Sequence, residues 1–202
     1  MTLIIIVLTC LLSIPAFSNG ALMYKLIFNP YQIQQRNEYY RFLTSGFLHA
    51  NWMHLIFNML VLYWFGANVE FEFFRHFDEK GNLLYILLYL LAIVCSSIFT
   101  FFKHKDDPHY NSLGASGAVS AVVFASILFQ PFADLCLYGL LCLPGILFGA
   151  AYLAYSWHMS KRGGDNINHD AHFYGAVFGI VFTIVLEPQI GLDFINKFRG
   201  LF

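Results

Sequence analysis

The sequence predicts an all-α, polytopic membrane protein built as a bundle of six transmembrane helices. Two observations carry that expectation. Of 202 residues, 58% are hydrophobic and only 11% are charged, against roughly 25% charged in soluble domains. The charges also cluster, leaving uncharged stretches at 1–24, 42–69, 81–102, 108–133, 135–160 and 171–186. All but the last exceed the ~20 residues that a helix needs to cross a bilayer.

Taken in order, the first stretch reads as an uncleaved helix. The small residues of "LLSIPAFS" resemble a cleavage site, but the basic region that precedes a signal core is nearly absent. From Gly20 to Thr44 the patches "LIFNPY" and "EYYRFL" alternate with Lys25, Arg36, Glu38 and Arg41, which suits a partly helical segment lying in the membrane interface. "EFEFFRHFDEKGN" is expected to join the second and third helices as a solvent-facing connection, with Gly81-Asn82 as the turn. "KHKDDPHYN" leads into the fourth helix, and Pro144-Gly145 is expected to kink the fifth. "SWHMSKRGGDNINHD" leads into the sixth. Residues 1–188 form one membrane domain and 189–202 a short tail.

Composition excludes several functions. A net charge of −1 leaves no electrostatic footprint for nucleic acid. Cys10, Cys95, Cys136 and Cys142 lie in apolar runs, where thiols behave as small hydrophobes, so neither disulfides nor a metal cluster are expected. His169 and His172 sit three apart and invite a metal reading with His104 or His109. The absence of an H-E-x-x-H pattern, and of an acid within any apolar stretch, argues against it. No metal or cofactor is expected. Lys25, Arg36, Arg41, Lys103, Lys105, Lys161 and Arg162 outnumber Arg75, Lys80, Lys197 and Arg199 on the N-terminal side, which by the positive-inside rule alone puts the N-terminus outside.

Strongly polar residues inside membrane helices are expensive and point to function. His54 and Asn58 are four apart, hence on one face. Ser116 lies between Gly114 and Gly117, and His172 is followed by Gly175 and Gly179 on its own side of the helix. Singly, each has a packing explanation, since small residues let membrane helices approach closely. Together they open the second, fourth and sixth helices, which run in the same direction, so all face one side of the membrane. From Ser116 to Phe129 there are 14 residues, or ~21 Å of helix. In a core ~30 Å thick, a helix ending at the far interface puts Ser116 about 10 Å below the nearer one. Exposed backbone at that depth requires a protein-lined or watery recess. A helix start there offers free N–H groups to an oxyanion, and His172 is the base available to activate the hydroxyl.

"GASG", "HLIFN" and "AHFYGAVFG" resemble the G-x-S-G, H-x-x-x-N and A-H-x-x-G-x-x-x-G signatures of the rhomboid intramembrane serine proteases, in the same order and on the same helices of a six-helix, bacterial-type member. The resemblance implies a dyad of Ser116 as nucleophile and His172 as base, with Asn58, His54 and the Ser116 N–H stabilising the oxyanion. Gly114, Gly117, Gly175 and Gly179 belong to the same motifs, and His49 is read as structural. It further implies an intramembrane endopeptidase that cleaves transmembrane helices of other proteins, reached laterally from membrane lipid. The implied location is multi-pass in the bacterial inner membrane, with a cytoplasmic N-terminus and a site opening outward. In the mechanism this suggests, a substrate helix unwinds near the fifth helix and the Trp157–Asp170 loop, and the loop acts as the lid.

Two positions depart from the pattern. Tyr40-Arg41 stands where many rhomboids have Trp-Arg. Ser120 stands where many bacterial members place a tyrosine that packs on the catalytic histidine, so Phe173, Tyr174 or a hydrogen bond is expected to orient His172 instead. The alternative function is a catalytically silent rhomboid-like protein that binds membrane helices without cutting them, a class that usually lacks the serine or the histidine. A transporter is expected to show discontinuous helices in repeated positions, and the sequence has none beyond the Pro144-Gly145 kink.

Overall fold

The computed structural model describes residues 1–137, 141–165 and 167–199. Helix α1 (Thr2–Ser18) is followed by three short helices, α2 (Gly20–Leu26), α3 (Pro30–Arg36) and α4 (Arg41–Thr44), and a 3-10 turn at Ser45–Phe47. Helices α5 (Trp52–Phe77), α6 (Lys80–His104) and α7 (Ser116–Phe129) come next. A hairpin of β1 (Asp134–Leu137) and β2 (Leu141–Pro144) then leads to α8 (Gly145–Arg162), α9 (His169–Leu186) and α10 (Pro188–Arg199). By length and composition, α5, α6 and α9 are able to cross a membrane, while α1 and α7 are apolar but shorter.

Five sequence expectations are corrected. The fold is mostly helical, in line with the expected class, but the start of the expected fifth helix is the β1–β2 hairpin. Pro144 has extended backbone and ends β2, and a residue before proline is pushed out of the helical region. Pro144-Gly145 is thus a strand-to-helix junction, not a kink. Within the ladder, Cys136 is in register with Cys142, and Cys142 is disulfide-bonded, contrary to the expectation for a thiol buried in a helix. The turn between α5 and α6 falls at Asp78, with a φ of 51°, and α5 continues through Glu70, Glu72 and Arg75. Gly81 belongs to the first turn of α6, where a Cβ would collide with the Phe73 backbone. Finally, Trp157–Arg162 continues α8 and His169–Asp170 opens α9, so the expected lid loop is largely helical, with residue 166 outside the described residues.

The long first connection is tied down by Arg41. It is 3% exposed, and its guanidinium donates to Glu38 at 2.6 Å and to the carbonyls of Tyr24 and Ile27 at 2.7 and 2.9 Å. A buried charge needs such partners, because leaving one unpaired is costly. The tail is also structured: Ile190 of α10 is buried, and Lys197 donates to the Phe129 carbonyl at the end of α7.

Helix α7 sits at the centre. Every residue from Gly117 to Phe129 is buried, which fits an apolar helix with no polar face, and α5, α6 and α9 surround it. The α7–α9 contact is backbone to backbone. A Cβ on Gly175 would run into the Gly117 carbonyl, and one on Gly179 into the Ala121 carbonyl. We therefore expect Gly179→Ala to destabilise the detergent-solubilised protein by about 1–3 kcal/mol, the usual range for overpacking, in reversible unfolding. Gly20→Ala, at a position with nothing within 4 Å of its Cβ, serves as the near-neutral control.

Candidate active site

Ser116 is the first residue of α7 and His172 lies in the first turn of α9. Their helices approach closely enough for His172 Nε2 to reach Ser116 Oγ at 2.8 Å. Both side chains are half-buried.

Four other helices, α2, α3, α5 and α9, begin with an asparagine whose side chain accepts an N–H of the first turn: Asn19, Asn29, Asn51 and Asn168. Helix α7 begins after Ala115, which offers no side-chain acceptor. Its first intrahelical bond runs from the Val119 N–H to the Ala115 carbonyl at 2.9 Å. The N–H groups of Ser116, Gly117 and Ala118 therefore have no intrahelical acceptor. Capping residues generally contribute about 1 kcal/mol. Here that stabilisation is forgone, and donors at the positive end of the helix dipole stay free for an anion.

The loop before Ser116 is pinned from several sides. Phe28 and Ser112 exchange backbone hydrogen bonds at 3.1 and 3.0 Å, and the Gly114 N–H donates to the Ser45 carbonyl at 3.0 Å. The Ala115 N–H points at His49 Nε2 at 3.5 Å, and His49 Nδ1 lies 2.9 Å from Ser13 Oγ. One proton arrangement satisfies this chain: Nδ1–H donates to Ser13, and the Ser13 hydroxyl donates to the Phe47 carbonyl at 2.9 Å. The fully buried His49 thus holds the loop, and its ring packs edge-on against His54 at 4.8 Å. Asn168 caps α9 and donates to Ser112 Oγ at 3.4 Å, joining the two helix starts.

Gly114 has a φ of +129°, a conformation that side-chain-bearing residues avoid. The point where its Cβ would stand lies 3.0 Å from His54 Nε2 and 3.7 Å from Ser116 Oγ. The missing side chain leaves open the space between the hydroxyl and the His54 imidazole. Asn58 is buried one turn on and donates to the His54 carbonyl at 2.9 Å; its amide has a second N–H to offer. Beside Ser116, a polar cavity of about 20 Å³ is lined by Ser45, Ser96, Ser97, Ser112 and Asn168, enough for roughly one water.

Neither Phe173 nor Tyr174 orients His172. Phe173 packs on Trp157 at 5.1 Å and Tyr174 on Phe99 at 4.8 Å. The ring stacked on His172 belongs to Tyr152 of α8, at 6.2 Å and 24°, and its hydroxyl lies 2.6 Å from Ser120 Oγ. The only pointer to it in the sequence was the departure at Ser120. His169 does not approach Ser116. Its Nε2 lies 3.0 Å from Asp165, a hydrogen bond that holds the Asp165 carboxyl below its ordinary range, and its ring meets His172 edge-on at 5.8 Å. Among the described residues, no three His, Cys, Asp or Glu side chains converge to hold a metal.

The fold and site define a membrane-helix bundle with a serine–histidine pair at an uncapped helix start. The family description that matches is Rhomboid domain, over residues 36–189. The chain is 30% identical over 166 residues to Rhomboid-like protein 11, chloroplastic, of Arabidopsis thaliana, covering 77% of this chain and 56% of that one. It is 28% identical over 154 residues to RHOMBOID-like protein 12, mitochondrial, of the same plant, covering 69% and 44%. It is also 26% identical over 109 residues to Rhomboid protease AarA of Providencia stuartii, covering 50% and 38%. The chain belongs to the rhomboid family and is a multi-pass membrane protein. It spans about half the length of the two plant relatives.

Gly114→Ala is expected to leave the helices folded while abolishing reactivity of Ser116, because the new methyl fills the space between Ser116 and His54. Far-ultraviolet circular dichroism, together with the rate of fluorophosphonate labelling, checks both halves.

Proposed function

We propose that the protein is an intramembrane serine endopeptidase that hydrolyses peptide bonds in or near transmembrane helices of other membrane proteins. The observation that carries this reading is the 2.8 Å contact between His172 Nε2 and Ser116 Oγ at a helix start without a cap. Ser116 Oγ attacks the substrate carbonyl carbon while His172 takes its proton. The oxyanion is held by the N–H groups of α7, with His54 and Asn58 as further donors. The imidazolium then protonates the leaving amine, and an acyl-enzyme remains on Ser116. Water, for which the adjoining serine-lined cavity has room, is deprotonated by His172 and releases the acyl group.

No metal or cofactor enters this sequence. The name Rhomboid protease AarA, borne by one relative, supports a proteolytic reading over a silent, helix-binding one, and so does the presence of both dyad residues within hydrogen-bond reach. We place the chain across the membrane six times, with α1, α5, α6, α7, α8 and α9 as the spans. We assign it to a bacterial inner membrane.

Fluorophosphonate labelling of the purified chain in detergent is expected to modify wild type at Ser116. Ser116→Ala removes the label entirely, and His172→Ala slows it by several orders of magnitude. An unlabelled wild type, or a label that survives Ser116→Ala, overturns the assignment. His54→Ala and Asn58→Ala should each lower cleavage of a transmembrane substrate by about 100-fold or more, the usual effect of losing an oxyanion donor. Neutral His172 accepts the proton and imidazolium does not. The labelling rate of wild type therefore falls as the pH drops through the His172 pKa and levels off above it; a rate independent of pH speaks against His172 as base.

A further inference from the structure

We propose that Tyr152 is the positioning residue of the catalytic base, so that His172 is aligned with Ser116 only while α8 lies docked against α7 and α9. The proposal rests on the serine-hydrolase reading above and concerns how that site is held and regulated.

Among the described residues, no carboxylate is hydrogen-bonded to the dyad. His172 is in hydrogen-bond contact with Ser116 and in ring contact with Tyr152 and His169. His169 stands edge-on and is committed to Asp165. Tyr152 lies nearly parallel to the imidazole, at 24°, so it limits rotation of the ring out of the plane that points Nε2 at Ser116. The hydroxyl of Tyr152 is in turn fixed by Ser120 at 2.6 Å. Ser120 is one helical turn after Ser116 on α7, the helix that carries the nucleophile. The chain of contacts runs from α7 through Ser120 to Tyr152 of α8, then to His172 of α9, and back to Ser116.

Helix α8 is also the least enclosed of the helices around the site. Only Gly145, Gly149 and Ser156 are buried along its length, while Leu147, Tyr155 and Trp157 are 56%, 55% and 45% exposed. At Gly149 a Cβ would lie 3.2 Å from Ile127 and 3.3 Å from Phe124 of α7. A small residue there lets α8 sit close enough for Tyr152 to reach Ser120. A substrate helix or lipid that separates α8 from α7 also withdraws the ring that aligns the base, so access and competence are linked through one side chain.

The test compares labelling rate, kcat and KM on a transmembrane substrate, and thermal unfolding for wild type, S120A, Y152F, S120A/Y152F, Y152A, G149L, G149L/Y152A and S120Y/Y152A. Misplacement of a reacting group by about 1 Å costs on the order of 100-fold in rate. Y152A is therefore expected to lose about 100-fold in kcat with KM unchanged. S120A and Y152F, which keep the volume and break the same hydrogen bond, should show equal, smaller losses that do not add in the double variant. G149L, which touches no reacting group, should reproduce the kcat defect and add nothing to Y152A. S120Y/Y152A should regain rate, because a tyrosine at 120 supplies a ring to the vacated space. Wild-type kcat in Y152A, or wild-type rates in both S120A and Y152F, overturns the proposal. Additive losses of G149L and Y152A overturn the link to α8. If wild type itself leaves Ser116 unlabelled, the hydrolase reading falls and the positioning role falls with it.

Discussion

The structure depends on the contact between α7 and α9, where two backbones meet without side chains between them. Gly175 faces the Gly117 carbonyl and Gly179 the Ala121 carbonyl so closely that no Cβ fits. Inside a membrane there is little hydrophobic driving force between helices, and close packing of small residues takes its place. The same closeness brings the imidazole of His172 within hydrogen-bond distance of the Ser116 hydroxyl. The pairing of Ser116 with His172 thus depends directly on helix packing, and both glycines set that pairing through the backbone.

The helix starts around this contact are finished in two ways. Asparagine caps close α2, α3, α5 and α9, while α7, like α1, α4, α6 and α8, opens without a side-chain cap. A loop ending in free donors tends to fray, and the contacts from Phe28, Ser45, His49 and Asn168 hold this one in place. Asn168 and His49 therefore hold the loop, and His49 also packs against His54. Exposed backbone polar groups inside a membrane are tolerated only where they line protein or a water-filled recess. The serine-lined cavity next to Ser116 is such a recess.

Much of the helical framework was legible because charge is so costly in a bilayer. Clusters such as Lys103–Asp107 and Lys161–Asp170 bound the uncharged runs, and the helices fall within or across those runs. The start and end of α7 followed from the Gly-rich turn and from Gln130-Pro131. The hairpin at 134–144 was not legible. Its strands are short apolar runs, which periodicity cannot distinguish from a buried helix, and Pro144 was read as a kink rather than a boundary. The turn at Asp78 was missed for a related reason. Gly81 looked like a turn former, but it is glycine because it touches the backbone of Phe73.

By itself the sequence determined the class of molecule, the membrane setting, and which serine and which histidine belong together, because those follow from composition and from motifs read along single helices. Only the tertiary structure decided which ring lies against His172. The motif position at Ser120 lacks the expected ring, and the ring comes from Tyr152, 32 residues further on, on a helix that no local pattern connects to His172. A side chain's neighbours along one helix are set by the 3.6-residue repeat and can be read from spacing. Its neighbours across helices are set by how closely the backbones pack, and here glycines at 117, 149, 175 and 179 set that spacing.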